Sequence, residues 1–341
     1  MQKAVRADED SPRWPAEKAN AWYAKQPWLV GCNYIPRTAI NQLEMWQADT
    51  FDPKTIDQEL GWARHIGFNT LRVYLHDKAW AADPEGFKKR IDGFLNICSS
   101  HHIRPMFVFF DDCWSATSNI GKQPDPRPGV HNSGWLQSPG KASVNDLSTW
   151  PGLEKYVTDI VTSFGKDDRI LMWDLYNEPG NLGQLNKSLP LLEKVFDWAR
   201  AAHPSQPVSA GLWNWASTCD ELNKFQLAHS DVITFHDYNP PADAKQRIAE
   251  LKTHGRPVIC TEYMARTRGS TFEDILPLFK QEHVGAINWG FVSGKTNTIF
   301  PWETKEGSPE PALWFHDIFR PDGTPLDPGE LELIRRLTER H

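Results

Sequence analysis

Two apolar stretches of strand character end on glutamate: Trp173-Asp174-Leu175-Tyr176-Asn177-Glu178-Pro179 and Cys260-Thr261-Glu262-Tyr263. Carboxylates are normally solvated, so a glutamate closing a buried strand calls for a use. Two of them suit the cleavage of a glycosidic bond. One carboxyl protonates the leaving oxygen, and the second attacks the anomeric carbon or activates water. A gap of roughly 5–5.5 Å gives the retaining route and roughly 6.5–9.5 Å the inverting one, a distance the sequence does not supply. Asn-Glu-Pro also occurs in ordinary turns, so the reading rests on the pair and on the scaffold between them. Pro179 biases Glu178 away from the helical region, which predicts an extended backbone at that strand end.

Other strand ends carry fitting partners. Arg72, in Leu71-Arg72-Val73-Tyr74, is placed to hold a nucleophilic carboxylate ionised and oriented. His236 and Tyr238, in Phe235-His236-Asp237-Tyr238, are able to hydrogen-bond a carboxylate or a substrate hydroxyl. Asn177 is a candidate for the sugar 2-hydroxyl, where contacts strengthen in the transition state. Trp289 is a candidate floor for the cleaved sugar. Each has a bland alternative: Arg72 a structural ion pair, Trp289 plain core.

The elements that must position these residues alternate along the chain. Eight strand-like runs are predicted: Trp28–Ile35, Thr70–Leu75, Pro105–Asp111, Ile170–Tyr176, Pro207–Leu212, Val232–Tyr238, Pro257–Tyr263 and Ala286–Val292. They are short and apolar on both faces, as parallel strands covered by helices should be. Helices are predicted over Pro53–Ile66, Pro84–His102, Gly152–Phe164, Leu189–His203, Thr218–Ala228, Ala242–His254, Phe272–Glu282 and Pro328–Arg340. Several begin with proline in the first turn, where its missing N–H does no harm. Asp52, Ser270 and Asp327 are candidate caps or flanking residues.

Eight such repeats predict a single (β/α)8 TIM barrel, residues 28–341, led by an arm of residues 1–27. A doubly wound open sheet is the runner-up, but no G-x-G-x-x-G or P-loop is present. Glu178 and Glu262 then end strands four and seven, on the face where barrel enzymes build their sites. The connections after strands three (Cys113–Trp150) and eight (Ser293–Leu326) are unusually long for structureless loops. They hold Trp114, His131, Trp135 and Trp302 among polar groups, and are expected to wall a substrate pocket.

Composition excludes other classes. The 341 residues carry 37 basic and 44 acidic side chains, a net charge of −7, with no basic stretch dense enough to follow a phosphate backbone. No nucleic-acid partner is expected. No run of 18 apolar residues exists, so no membrane span is expected. Met1–Pro15 is polar, without the apolar core of a secretory leader. The five cysteines are widely spaced with no C-x-x-C, so neither a disulfide framework nor a zinc site is indicated. A cytoplasmic protein needing no metal or organic cofactor is the expectation; oligomeric state is not readable. The 16 tryptophans exceed ordinary core needs, and flat aromatic platforms suit the C–H faces of sugar rings.

Over Trp28 to Arg340 the chain resembles the clan of retaining (β/α)8 glycoside hydrolases that includes family 5, the cellulase-like enzymes. The resemblance implies that Glu178 of Asn177-Glu178 is the acid/base and Glu262 the nucleophile. It also implies site roles for Arg72 on strand two, His236 and Tyr238 in the H-x-Y of strand six, and Trp289 on strand eight. Many family 5 members place a histidine at the end of strand three. Here the chain reads Phe110-Asp111-Asp112-Cys113-Trp114, so Asp111, Asp112 or Trp114 is expected to take that sugar contact.

The long loops favour a pocket over an open cleft. That predicts an exo-acting β-glycosidase on oligosaccharides, with β-mannosidase the leading choice. An endo-acting β-1,4-glucanase, mannanase or xylanase is the alternative within the class. A non-catalytic carbohydrate-binding barrel is the alternative outside it, but would need neither glutamate. A phosphate-substrate barrel would need a Gly-rich site after strands seven and eight, which Arg266–Ser270 matches poorly.

Overall fold

The computed structural model describes residues 12–339. Eight parallel strands run in chain order: β1 (Val30–Asn33), β2 (Thr70–Tyr74), β3 (Arg104–Asp111), β4 (Met172–Asn177), β5 (Val208–Ser209), β6 (Ile233–His236), β7 (Val258–Glu262) and β8 (Gly285–Asn288). Consecutive strands pair from β1 to β5 and from β6 to β8, and β1 also pairs with β8. A single bridge, Leu212 to Phe235, closes the seam between the short β5 and β6. This is the (β/α)8 barrel expected from the alternation. β1 lies so close to β2 that a Cβ on Gly31 would sit 1.8 Å from the Thr70 carbonyl oxygen, so this position requires glycine.

The eight predicted helices form, most within two residues of their expected ends, the last over Pro328–Thr338; Arg340 lies outside the described residues. Asp52 and Asp327 cap theirs through Thr55 N and Gly329 N. Ser270 does not cap the helix Phe272–Gln281. Thr271 does, while Ser270 Oγ accepts from Met264 N. Pattern reading missed four short helices, Ala16–Tyr23, Gln42–Trp46, Asp77–Ala82 and Lys141–Val144, each spanning too few turns to show a clear period. The first lies in the predicted arm, whose residues 1–11 fall outside the described residues. Its Trp22 and Tyr23 pack beneath the barrel against Leu29, Met106, Leu171, Met172, Val232, Ile259 and Ile287. Among the described residues no helix is long and apolar enough to cross a membrane.

Alternation sorts the strands into two cores. On β2, Leu71 and Val73 join the belt between sheet and helices, while Arg72 and Tyr74 turn into the barrel. On β7, strict alternation would send Glu262 outward with Val258 and Cys260. Instead the β6–β7 register slips: Phe235 faces Cys260, and the next residue, His236, faces Glu262. Thr261 is the extra residue of this bulge, which re-aims Glu262 into the barrel mouth.

Candidate active site

Arg72 organises the barrel's upper interior. It is fully buried. Its Nε donates to Asp174 Oδ2 (2.8 Å), its Nη1 to Glu262 Oε1 (2.9 Å) and Asn33 Oδ1 (3.0 Å), and its Nη2 to Asn177 Oδ1 (2.7 Å). Burial alone would lower its pKa, but Tyr74, Asp174 and Glu262 outweigh that and hold it above its usual value. The guanidinium is therefore a fixed cation. Removing either carboxylate partner would weaken the compensation for its burial.

Glu262 receives three donors. Besides Arg72, Tyr74 Oη donates to Oε1 (3.1 Å) and Tyr238 Oη to Oε2 (2.7 Å). Glu178 has no direct cation. Its Oε1 lies 2.8 Å from His236 Nδ1, and its Oε2 accepts from Cys113 Sγ (3.1 Å) and Asn181 Nδ2 (2.5 Å). Burial comes first in pushing both carboxyls above their usual range. Glu262 is the better held as an anion, having the cation and two phenol donors. The Glu178 charge in turn raises Glu262, so the two carboxyls titrate together. Burial pulls His236 down to about 4, so its ring is neutral at ordinary pH. Its Nδ1 is then able to accept from protonated Glu178 or, in the other tautomer, donate to the carboxylate.

Glu178, His236 and Glu262 present ligand atoms within 4.8 Å of one another, the one such cluster among the described residues. The two carboxylates thus approach at the short, retaining end of the known range. A divalent ion would have to share this cluster with the buried Arg72 charge, which disfavours it.

Glu178 is not extended. Its φ is +45°, and Asn181 N donates to its carbonyl (3.1 Å), closing a tight turn. Proline bars the helical region at Glu178, and the turn takes the left-handed one, a strain of about 1–3 kcal/mol for a non-glycine residue.

A cavity of about 420 Å³ opens above these groups, within the usual range for small ligands. Of the candidates read from sequence, Glu178, Glu262, Asn177, His236, Tyr238, Trp289, Trp114, His131, Trp135 and Trp302 line it. Arg72 lies beneath, acting through Glu262 and Asn177. Trp289 and Trp135 meet edge-to-face (5.5 Å) and both pack on Tyr74. Trp302 stands edge-on to Tyr238 (5.1 Å). Trp114 is 37% exposed, a large apolar face at the rim.

Asp112 corrects the expectation of a sugar contact. It is wholly buried away from the cavity and accepts from Tyr176 Oη (2.8 Å), Gly180 N (2.8 Å), Gln184 Nε2 (2.9 Å) and Ser188 Oγ (2.5 Å). It pins the turn after Glu178. Asp112→Ala orphans four donors and is expected to cost about 3 kcal/mol or more, read as a lowered midpoint in chemical denaturation. Its neighbour Asp111 also serves the frame, accepting from Asn177 Nδ2 (2.9 Å) and Trp135 Nε1 (2.7 Å).

Sequence reading missed Tyr74, Cys113, Asn181, Trp213 and Trp215. Tyr74 follows Arg72 at the same-face spacing of a strand, so alternation could have found it. Trp213 and Trp215, just after β5, line the cavity beyond Glu178. Nothing in the sequence marked Cys113.

Residues 37–294 match the family described as Cellulase (glycosyl hydrolase family 5). The chain belongs to glycosyl hydrolase family 5. It is therefore a retaining glycoside hydrolase. No curated protein sequence matches it. Among solved structures, this family 5 enzyme is similar to the endo-β-1,4-mannanase of Thermotoga petrophila (16% identity, 93% of this chain and 77% of that one, TM-score 0.59). It is also similar to the exo-β-1,4-mannosidase of Opitutaceae bacterium strain TAV5 (17%, 98% and 62%, TM-score 0.63) and the endo-1,4-β-mannanase of Rhizomucor miehei (12%, 96% and 97%, TM-score 0.61). At these identities the likeness is one of fold.

Proposed function

We propose that this enzyme is an exo-acting β-mannosidase in which Glu262 is the nucleophile and Glu178 the acid/base. The observation that carries the roles is the asymmetry of the pair: Glu262 lies 2.9 Å from a buried guanidinium, and Glu178 has no cation beside it. Glu262 attacks the anomeric carbon while Glu178 gives its proton to the departing oxygen, leaving a glycosyl ester on Glu262. Glu178, now ionised, takes a proton from water, which releases the sugar with its configuration retained. His236 stays hydrogen-bonded to Glu178 in both states by changing tautomer. Because burial raises Glu178, its proton persists above the usual carboxylate range. Activity should rise as Glu262 ionises and fall, at higher pH, as Glu178 loses its proton.

The exo reading is supported by how the two long loops meet. Asn132 N donates to Thr296 O (2.8 Å), Gly307 N to Pro128 O (2.9 Å) and Asn297 Nδ2 to Arg127 O (3.0 Å); His131 Nδ1 lies 2.7 Å from Phe300 O. These bonds join the β3 and β8 loops across the tops of β1 and β2. The sugar on the Trp289 side of the cut bond therefore meets a wall. The leaving group lies on Glu178's side, toward Leu182, Trp213 and Trp215. A blind end on the glycone side suits a terminal residue. The choice of mannose draws on the activities named for the structural relatives.

The test is the product profile on β-linked manno-, gluco- and xylo-oligosaccharides. Stepwise release of mannose from the manno series is expected. Mixed internal fragments, strongest on long chains, would make this an endo-enzyme, and release from another series would change the sugar.

A further inference from the structure

Cys113 stands two residues past the end of β3 with its Sγ 3.1 Å from Glu178 Oε2. It is held there from two sides. Asn177 Nδ2 and Asn181 Nδ2 each lie 3.3 Å from the sulfur, and Asp111 Oδ1 accepts from the Cys113 backbone N–H (2.8 Å). Asn181 also donates to the same Glu178 oxygen, so thiol, amide and carboxylate form a closed triangle. We propose that Cys113 is a positioning residue for the acid/base, its S–H fixing the Glu178 carboxylate. This rests on the reading of Glu178 as acid/base.

The chemistry favours a thiol here. Burial, then Asp111, Glu178 and Glu262, push the Cys113 thiol well above its usual pKa, so it keeps its proton and serves as a donor. A strong donor would stabilise the Glu178 carboxylate and draw its proton off at lower pH. S–H is a weaker donor than O–H, so it orients the group and offsets part of the rise that burial causes, but less than a hydroxyl would. The other titratable groups facing Glu178 are Asp111 of β3, Arg72 of β2, His236, Asp237 and Tyr238 at the end of β6, and Glu262 of β7. None of them donates to Oε2.

The test compares pH profiles of kcat/KM for wild type, Cys113→Ala and Cys113→Ser. The substrate is whichever phenyl β-glycoside the wild type turns over fastest, because phenol is a poor enough leaving group to need the acid. Cys113→Ala removes the donor and should move the basic limb up by roughly half a pH unit. Cys113→Ser supplies a stronger donor and should move that limb below the wild-type position. Thermal midpoints show whether each variant folds. Should Cys113→Ala fail to fold, the Ser variant against wild type still reads the direction. A basic limb unmoved in both variants, or moved upward by Ser, would overturn the proposal. Failure of the acid/base reading itself would appear separately, as equal losses in Glu178→Ala on activated and unactivated substrates.

Discussion

Glu262→Gln is expected to lower kcat by on the order of a million-fold, the scale seen when other covalent nucleophiles are removed. Sugar binding should survive within a few-fold. The amide keeps the side chain's shape, and Arg72 retains Asp174 at 2.8 Å, so the buried cation is not left alone. Tyr238 and Tyr74 keep an acceptor in the amide oxygen or turn to water in the cavity. Steady-state kinetics on an activated aryl glycoside, with binding of the intact oligosaccharide by calorimetry, separates the two effects. A variant that keeps turnover within tenfold of wild type would remove Glu262 from the nucleophile's place.

Glu178→Ala should show a loss that depends on the leaving group. Oligosaccharides and alkyl glycosides need the proton, and general acid catalysis supplies about a hundred- to ten-thousand-fold, so they should fall by that much. Activated aryl glycosides form the glycosyl ester without help and then stall, because water lacks its base. Azide, small and already anionic, fits the space Glu178 vacates. It should restore turnover by attacking the ester carbon and expelling the Glu262 carboxylate, giving a glycosyl azide of retained configuration. Equal losses on both substrate classes, with no response to azide, would deny Glu178 the acid/base role.

Much of this arrangement was legible in the residues. The strand runs were short and apolar on both faces, which only a sheet covered by helices explains. A charged Arg72 inside such a run had to have partners, and it has Asp174 and Glu262. What pattern could not supply was phase. Alternation breaks where β3 and β4 end, with Phe109 and Phe110 both in the outer belt, and likewise Leu175 and Tyr176. From there parity no longer says which side chain faces the cavity, and Asp112 was accordingly misplaced. The bulge at Thr261 that aims Glu262 inward depends on backbone pairing with His236, an interaction between strands that no single run encodes. The left-handed turn at Glu178 follows from the loop that Asp112 pins, again a contact distant in sequence.

The roles of the two glutamates are tested most directly by trapping the glycosyl ester. A dinitrophenyl deoxyfluoro-β-mannoside couples a good leaving group to a sugar whose fluorine destabilises the positively charged transition state, so the ester forms and persists. Peptide mass spectrometry of the treated wild-type enzyme should then find one sugar per chain, on the peptide bearing Glu262, and none in Glu262→Gln. A label on Glu178 or on any other carboxylate would contradict the assignment.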